Sequence, residues 1–267
     1  MVDLDTLRAR VRRLERADRA VLATRRLDVL PLDRALPWGG LPLGCLHHIA
    51  DGSPVAPGGG RLCAGGAATA FAALMAARLA TTDPARTRGV ARPRPVVWCV
   101  LAGSPDDSLY GPGLAPLGLT PGRLLVVRAP TPAAVAWAME EAARCPDVGA
   151  VVGQIPGALP TVAGRRLALA AEAGGGGAVL LRPAQAPAER IPGATTRWRA
   201  APAPSAPTPW GEPGPPRWRL ALEHCRNGRP HDWMVEWNHD TGHLDLAADL
   251  PDRPADTDAA RAPRRSA

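Results

Sequence analysis

A chain of 267 residues, 46% hydrophobic and 21% charged, has a globular composition and enough length to bury one α/β core. No apolar run approaches the ~18 residues that a membrane span needs, and the start MVDLDTLRARVRRLER puts acids and arginines where a signal peptide needs an apolar core, so a cytoplasmic protein with no membrane partner is expected. All 32 basic residues are arginine; lysine is absent, which excludes Schiff-base chemistry, a lysine general base and a phosphate-loop lysine together.

The net charge of +7 suits an acidic partner, nucleic acid or an acidic protein face. Five scattered cysteines (Cys45, Cys63, Cys99, Cys145, Cys225) with no CxxC pair predict reduced, mostly buried thiols rather than a disulfide framework or zinc ribbon.

In chain order, residues 3–26 read as a helix whose seam is Leu4, Leu7, Val11 and Leu14, with Arg8, Arg10, Arg12, Arg13, Arg16 and Arg19 around the rest. This basic arm, residues 1–27, is either a solvated helix or a docking arm for a partner helix or DNA, with Arg8, Arg12, Arg13 and Arg16 as candidate contacts. A turn-rich entry, LPLDRALPWGGLPLG, opens the core domain at 28–250. Apolar runs at 45–50, 95–102, 123–128, 148–153 and 177–182 predict buried strands, and segments 65–80, 108–117, 131–144 and 161–173 predict helices between them. Strands without polar alternation, separated by helices, specify a mostly parallel sheet covered on both faces.

The pattern then changes. Residues 195–200, 216–225 and 231–238 alternate with period two and predict antiparallel strands that extend the sheet, with a turn at Asn227-Gly228. Residues 251–267 lack apolar periodicity and predict a disordered tail.

In an α/β fold of this order the first place to seek a ligand is the turn after the first core strand. Residues 50–69 there are glycine-rich (Gly58, Gly59, Gly60, Gly65, Gly66) and precede a helix, as a phosphate loop does. The lysine is missing, Arg61 stands at the wrong place to replace it, and Thr69 comes too late to hold a magnesium ion, so the loop is degenerate and ATP hydrolysis is not expected. A further alternative is a weak nucleotide-binding enzyme that uses the backbone amides of Gly58, Gly59 and Gly60.

The alternating strands carry Arg197 and Arg199 about Trp198, and Arg217 and Arg219 about Trp218, so arginine lies on one face and tryptophan on the other. Those arginines are candidate partner or nucleic-acid contacts, against the plain alternative of tryptophan in the core and arginine in water. Trp233, Val235 and Trp237 read as core. His239 and His243 lie in NHDTGH, a turn, which does not align their rings for a metal. The pair His47-His48 predicts at least one buried, hydrogen-bonded ring.

The blocks GLPLGCLHHI (40–49), WCVLAGSPDDSLYGPGLAPLGL (98–119), RLLVVRAPTPAAVAWAMEEAARCPDVGAVVG (123–153), RRLALAAEAGGGGAVLLRP (165–183), TRWR (196–199) and RWRLALEHCRNGRPHDWMVEW (217–237) resemble the ImuA family, RecA-related proteins of bacterial inducible-mutagenesis cassettes. The resemblance implies an α/β, RecA-like, mostly parallel sheet with flanking helices, C-terminal antiparallel strands and a degenerate phosphate loop. It implies a non-catalytic subunit without cofactor or metal in an SOS-induced translesion synthesis complex. The expected partners are an ImuB-like Y-family protein and an error-prone polymerase of the replicative alpha type, with RecA or DNA left open.

Carried onto this sequence, the carboxylate after the second core strand falls near Gly103, ahead of Asp106 and Asp107, and the metal-linked aspartate after the fourth falls on Gly153 or Gln154. The two stretches matching RecA's DNA-gripping loops, 156–164 and 183–195, are short and hold a single arginine, Arg190. An alternative resemblance is to SulA-like cell-division inhibitors, which share a truncated core of this kind and bind FtsZ.

Overall fold

The structure, a computed structural model, describes residues 23–54, 64–82, 93–184, 190–206, 208, 210 and 212–247. The predicted arm up to residue 22, residues 55–63 with Gly58, Gly59, Gly60 and Arg61, and the tail lie outside the described residues.

The chain enters through β1 (Thr24–Arg25), α1 (Leu30–Ala35) and β2 (Leu41–Pro42). The parallel core follows as β3 (Cys45–Asp51), α2 (Gly66–Leu79), β4 (Val96–Leu101), α3 (Gly111–Leu114), β5 (Leu124–Ala129), α4 (Pro132–Arg144), β6 (Ala150–Gln154), α5 (Thr161–Gly174) and β7 (Gly177–Arg182). β8 (Ala194–Ala203), β9 (Arg217–Cys225), β10 (His231–Asn238) and β11 (His243–Leu246) complete it.

Nine strands form one sheet in the order β11-β10-β9-β8-β3-β7-β6-β4-β5. From β8 to β5 the pairing is parallel, and from β8 to β11 it is antiparallel. The expected mixed α/β sheet with antiparallel C-terminal strands is therefore present.

The apolar runs bury both faces of the parallel part. Val96, Trp98 and Val100 of β4 join one core with α1, α2 and the residues around α3, whereas Val97 and Cys99 join a second core beneath α4 and α5. Strand alternation sends successive side chains to opposite faces, so one strand feeds two cores. Helix α2 is buried nearly all round, including Ala68, Phe71, Ala72 and Met75, and its small side chains let it lie close to the sheet. Thr131 accepts from Ala134 N with its hydroxyl at the start of α4, followed by Pro132, as its sequence predicts.

Several local readings are corrected. Thr24 and Arg25, placed by periodicity at the end of the basic helix, pair with Pro42 and Leu41 as strand. The helix expected over 108–117 shrinks to the four residues of α3, behind a 3-10 turn at Pro105–Asp107, because Pro112 fixes its first turn, Pro116 lacks a backbone donor and Gly118 turns the chain with a φ of +92°. Helix α1 arises in the stretch read only as turns. Pro31 stands in its first turn, and Asp33 accepts from Leu27 N and Asp28 N at 2.8 and 3.2 Å. Past the Asn238 turn the chain forms β11, which starts at His243 and pairs with β10.

The antiparallel half is anchored by aromatic rings. Trp198 is fully buried, meets Phe71 edge-on at 5.3 Å and Trp233 at 6.0 Å. Trp198→Ala is expected to cost about 4 kcal/mol in urea denaturation; a loss below about 1 kcal/mol would show that these rings do not anchor β8 to α2.

Candidate functional site

The turn after β3 closes on its own carboxylate. Asp51, the last residue of β3 and buried, accepts from Ser53 N at 2.8 Å and from Gly65 N at 2.7 Å. Gly65 caps α2, so a carboxylate of the chain itself sits at the end of the helix where free N–H groups and the helix dipole would otherwise favour a bound phosphate. The side chains of Ser53 and Asp51 crowd Gly65 so closely that a Cβ there would collide with them, whereas Gly66 faces open space. Sequence reasoning read the glycines of this turn and missed Asp51, whose partner in Gly65 lies fourteen residues away.

The positions that would complete a nucleotide site hold other contacts. Asp107 accepts from Gly103 N at 2.9 Å and from the Arg128 guanidinium, and these hold its carboxyl below the usual carboxylate range. It ties the turn after β4 to the end of β5. Gln154 accepts the indole N–H of Trp98 at 2.9 Å in the core, and a Cβ on Gly153 would lie 2.5 Å from the sulfur of Met139. Among the described residues no group of three or more His, Cys, Asp and Glu side chains could hold a metal ion. Burial pushes the Cys99 thiol up to about 12 and the Cys225 thiol up to about 11, well above the range of a nucleophilic thiolate.

Arg197, Arg199, Arg217 and Arg219 do share one face of β8 and β9, opposite the buried Trp198 and Trp218. No helix among the described residues covers this half of that face. Each arginine meets a carboxylate: Arg197 and Arg199 converge on Glu223 at 2.6 and 2.5 Å, Arg217 pairs with Glu236, and Arg219 lies 3.6 Å from Asp232. The last pair is open to water and contributes little to stability. A bulge puts Glu223 there: Arg197 stands opposite His224 and Trp198 opposite Leu222, so two residues of β9 answer one of β8.

A second surface escaped the sequence reading. Between α4 and α5 runs an apolar groove of about 570 Å³ whose wall includes Trp137, Ile155, Leu159, Val162 and Leu167. Trp137 is 60% exposed and Val162 65%. The signal was in α4 itself, because Val135 and Met139 share the buried stripe and Trp137, two residues from each, points away from it.

The two neighbouring histidines differ. His47 is fully buried; its Nε2–H donates to the carbonyl of Pro42 at 3.1 Å, which leaves Nδ1 to accept the Thr196 hydroxyl at 2.8 Å. The Thr196 hydroxyl in turn accepts the indole N–H of Trp198 at 3.0 Å. This chain of bonds joins β2, β3 and β8. His48, facing the other way, is buried with neither ring nitrogen bonded to any described residue.

No family model matches the chain. It is 38% identical, over an alignment of 246 residues covering 88% of this chain and 92% of the relative, to Protein ImuA of Caulobacter vibrioides, with the same figures for the NA1000 and CB 15 strains. The chain belongs to the ImuA family. The ImuA resemblance read from the sequence blocks is thus shown over nearly the whole length of both proteins.

Burial lowers the His47 pKa from 6.5 to about 4. The unfolded chain therefore takes up this proton first as pH falls, so the stabilisation is complete above about 6.5 and drains away down to about 4, a loss of roughly 3 kcal/mol. Urea midpoints measured from pH 7.5 to 4 are expected to fall over that window and to fall less in His47→Gln; a flat profile in the wild type would contradict the buried, neutral ring.

Proposed function

We propose that this chain is a RecA-like scaffold without ATPase activity that serves as an accessory subunit in damage-induced mutagenesis. The observation that carries this reading is Asp51. A buried carboxylate holds the amide end of α2, the chain has no lysine to answer a terminal phosphate, and Asp107 and Gln154 are engaged in bonds of their own. A negative charge fixed at the anion-binding end of a helix repels the ligand that end would otherwise attract. The sheet supports the scaffold part of that reading: it is mostly parallel, with α2 on one face and α4 and α5 on the other, and antiparallel strands extend it at the C-terminal end.

For partner binding the chain offers two surfaces away from the Asp51 turn. The groove at Trp137 and the charged face of β8 and β9 give two separate contact areas, one apolar and one polar, as an adaptor between two proteins requires. The relatives are named ImuA, and the partners that fit are an ImuB-like Y-family protein and the error-prone polymerase it works beside.

The test is a pull-down of the full chain with its ImuB-like partner. The wild type is expected to retain the partner, and Trp137→Ala or Arg219→Glu, both altered at exposed positions, should lower retention at least fivefold at whichever surface is used. Failure of the wild type to bind would overturn the adaptor reading.

A further inference from the structure

On the face that α4 and α5 leave open, beside the start of β8, lies a cavity of about 310 Å³. Its wall includes His48, Arg190, Gly193, Arg197, Glu223 and His224. His48, Arg197 and His224 are register neighbours across three adjacent strands, so they form one row of the sheet. The β9 bulge delivers both Glu223 and His224 to the same cavity.

His48 is the unexplained group. It is 3% exposed, and neither ring nitrogen has a hydrogen-bond partner among the described residues. A buried imidazole with no partner is costly, and its neighbour His47 shows how the same ring is satisfied when the fold alone is to hold it. Around His48 the charge is strongly positive: Arg182 and Arg199 flank Ala50, two residues further along β3, and Arg190 and Arg226 stand near His224. Burial comes first in lowering His48 to about 3, followed by the field of Arg197, Arg182 and Arg199. His224 is lowered in the same way, by burial and then by Arg190, Arg226 and Arg197.

We infer that this cavity is a phosphate-binding site, with the guanidinium groups of Arg190 and Arg197 and one N–H each from His48 and His224 as its donors. A phosphate, with several acceptor oxygens, can use forked and single donors together. Glu223 sits in the same wall as a built-in competitor: it holds Arg197 and Arg199 when the cavity has no anion and releases Arg197 to one that enters. The phosphate belongs either to a small molecule or to a nucleic-acid backbone. The site is separate from the closed turn at Asp51 and stands independently of which protein the chain joins.

The experiment is NMR of the full chain with labelled histidine, titrated with inorganic phosphate and with a twelve-residue oligothymidylate. Of the six histidines, His48 and His224 are expected to shift saturably and the other four to stay in place. Arg190→Gln, at an exposed position, should weaken the response at least fivefold with no change in melting temperature. Glu223→Gln should strengthen it about fivefold, and Arg219→Gln, outside the cavity, should leave it unchanged. An oligonucleotide that moves the same two signals at a tenfold lower concentration and displaces phosphate identifies a backbone phosphate as the ligand. Phosphate binding that the oligonucleotide does not disturb identifies a small phosphate. The assignment is overturned if neither probe moves His48 and His224, if acetate moves them equally, or if Arg219→Gln weakens the response as much as Arg190→Gln does.

Discussion

The bond from Gly65 N–H to the carboxylate of Asp51 ties the end of β3 to the start of α2. The first turn of a parallel sheet followed by a helix is the place where folds of this type hold anions, because the helix offers unpaired N–H groups and a partial positive charge. Here the chain supplies its own anion. Asp51 takes Ser53 N and Gly65 N together, closing the turn at both of its ends and fixing the entry of α2, the helix around which one whole core is built. The entry of α2 and the negative charge at its amide end thus rest on the same side chain.

On the adaptor reading proposed for this chain, the rest of the molecule is a frame for its contact surfaces. The parallel strands are buried between α2 on one side and α4 with α5 on the other, whereas among the described residues helices cover β8 to β10 on one side only. That asymmetry leaves a row of arginines and carboxylates, from partly buried Arg197 and Arg217 to open Arg219, opposite tryptophans that lie in the core. The chain of hydrogen bonds from Trp198 through Thr196 and His47 to Pro42 fastens β8, the first strand of the extension, to β3 and β2.

How much of this the sequence discloses follows from the range of each interaction. The five parallel strands and the helices α2, α4 and α5 lie where unbroken apolar runs and 3.6-residue spacing put them, since those signals are local. β1, β2 and β11 are short, and they become strands through pairing with distant segments that no local pattern records. The arginine and tryptophan faces follow directly from period-two alternation, but Glu223 joins them only because a bulge breaks that alternation. The glycines of the turn were conspicuous and Asp51 was not, although the bonds that define the turn are made by the aspartate. The absence of lysine, plain in the composition, and the closure by Asp51, visible only in three dimensions, bear on the same question from independent directions.

The most direct measurement is the backbone amide spectrum of the full chain during titration with magnesium ATP, read at Gly65 and Ser53. Because Asp51 holds both N–H groups, their signals are predicted to stay in place up to ~1 mM nucleotide, whatever the cavity at His48 does. A saturable shift of the Gly65 signal, accompanied by ATP turnover that is lost on altering the turn, would contradict the account.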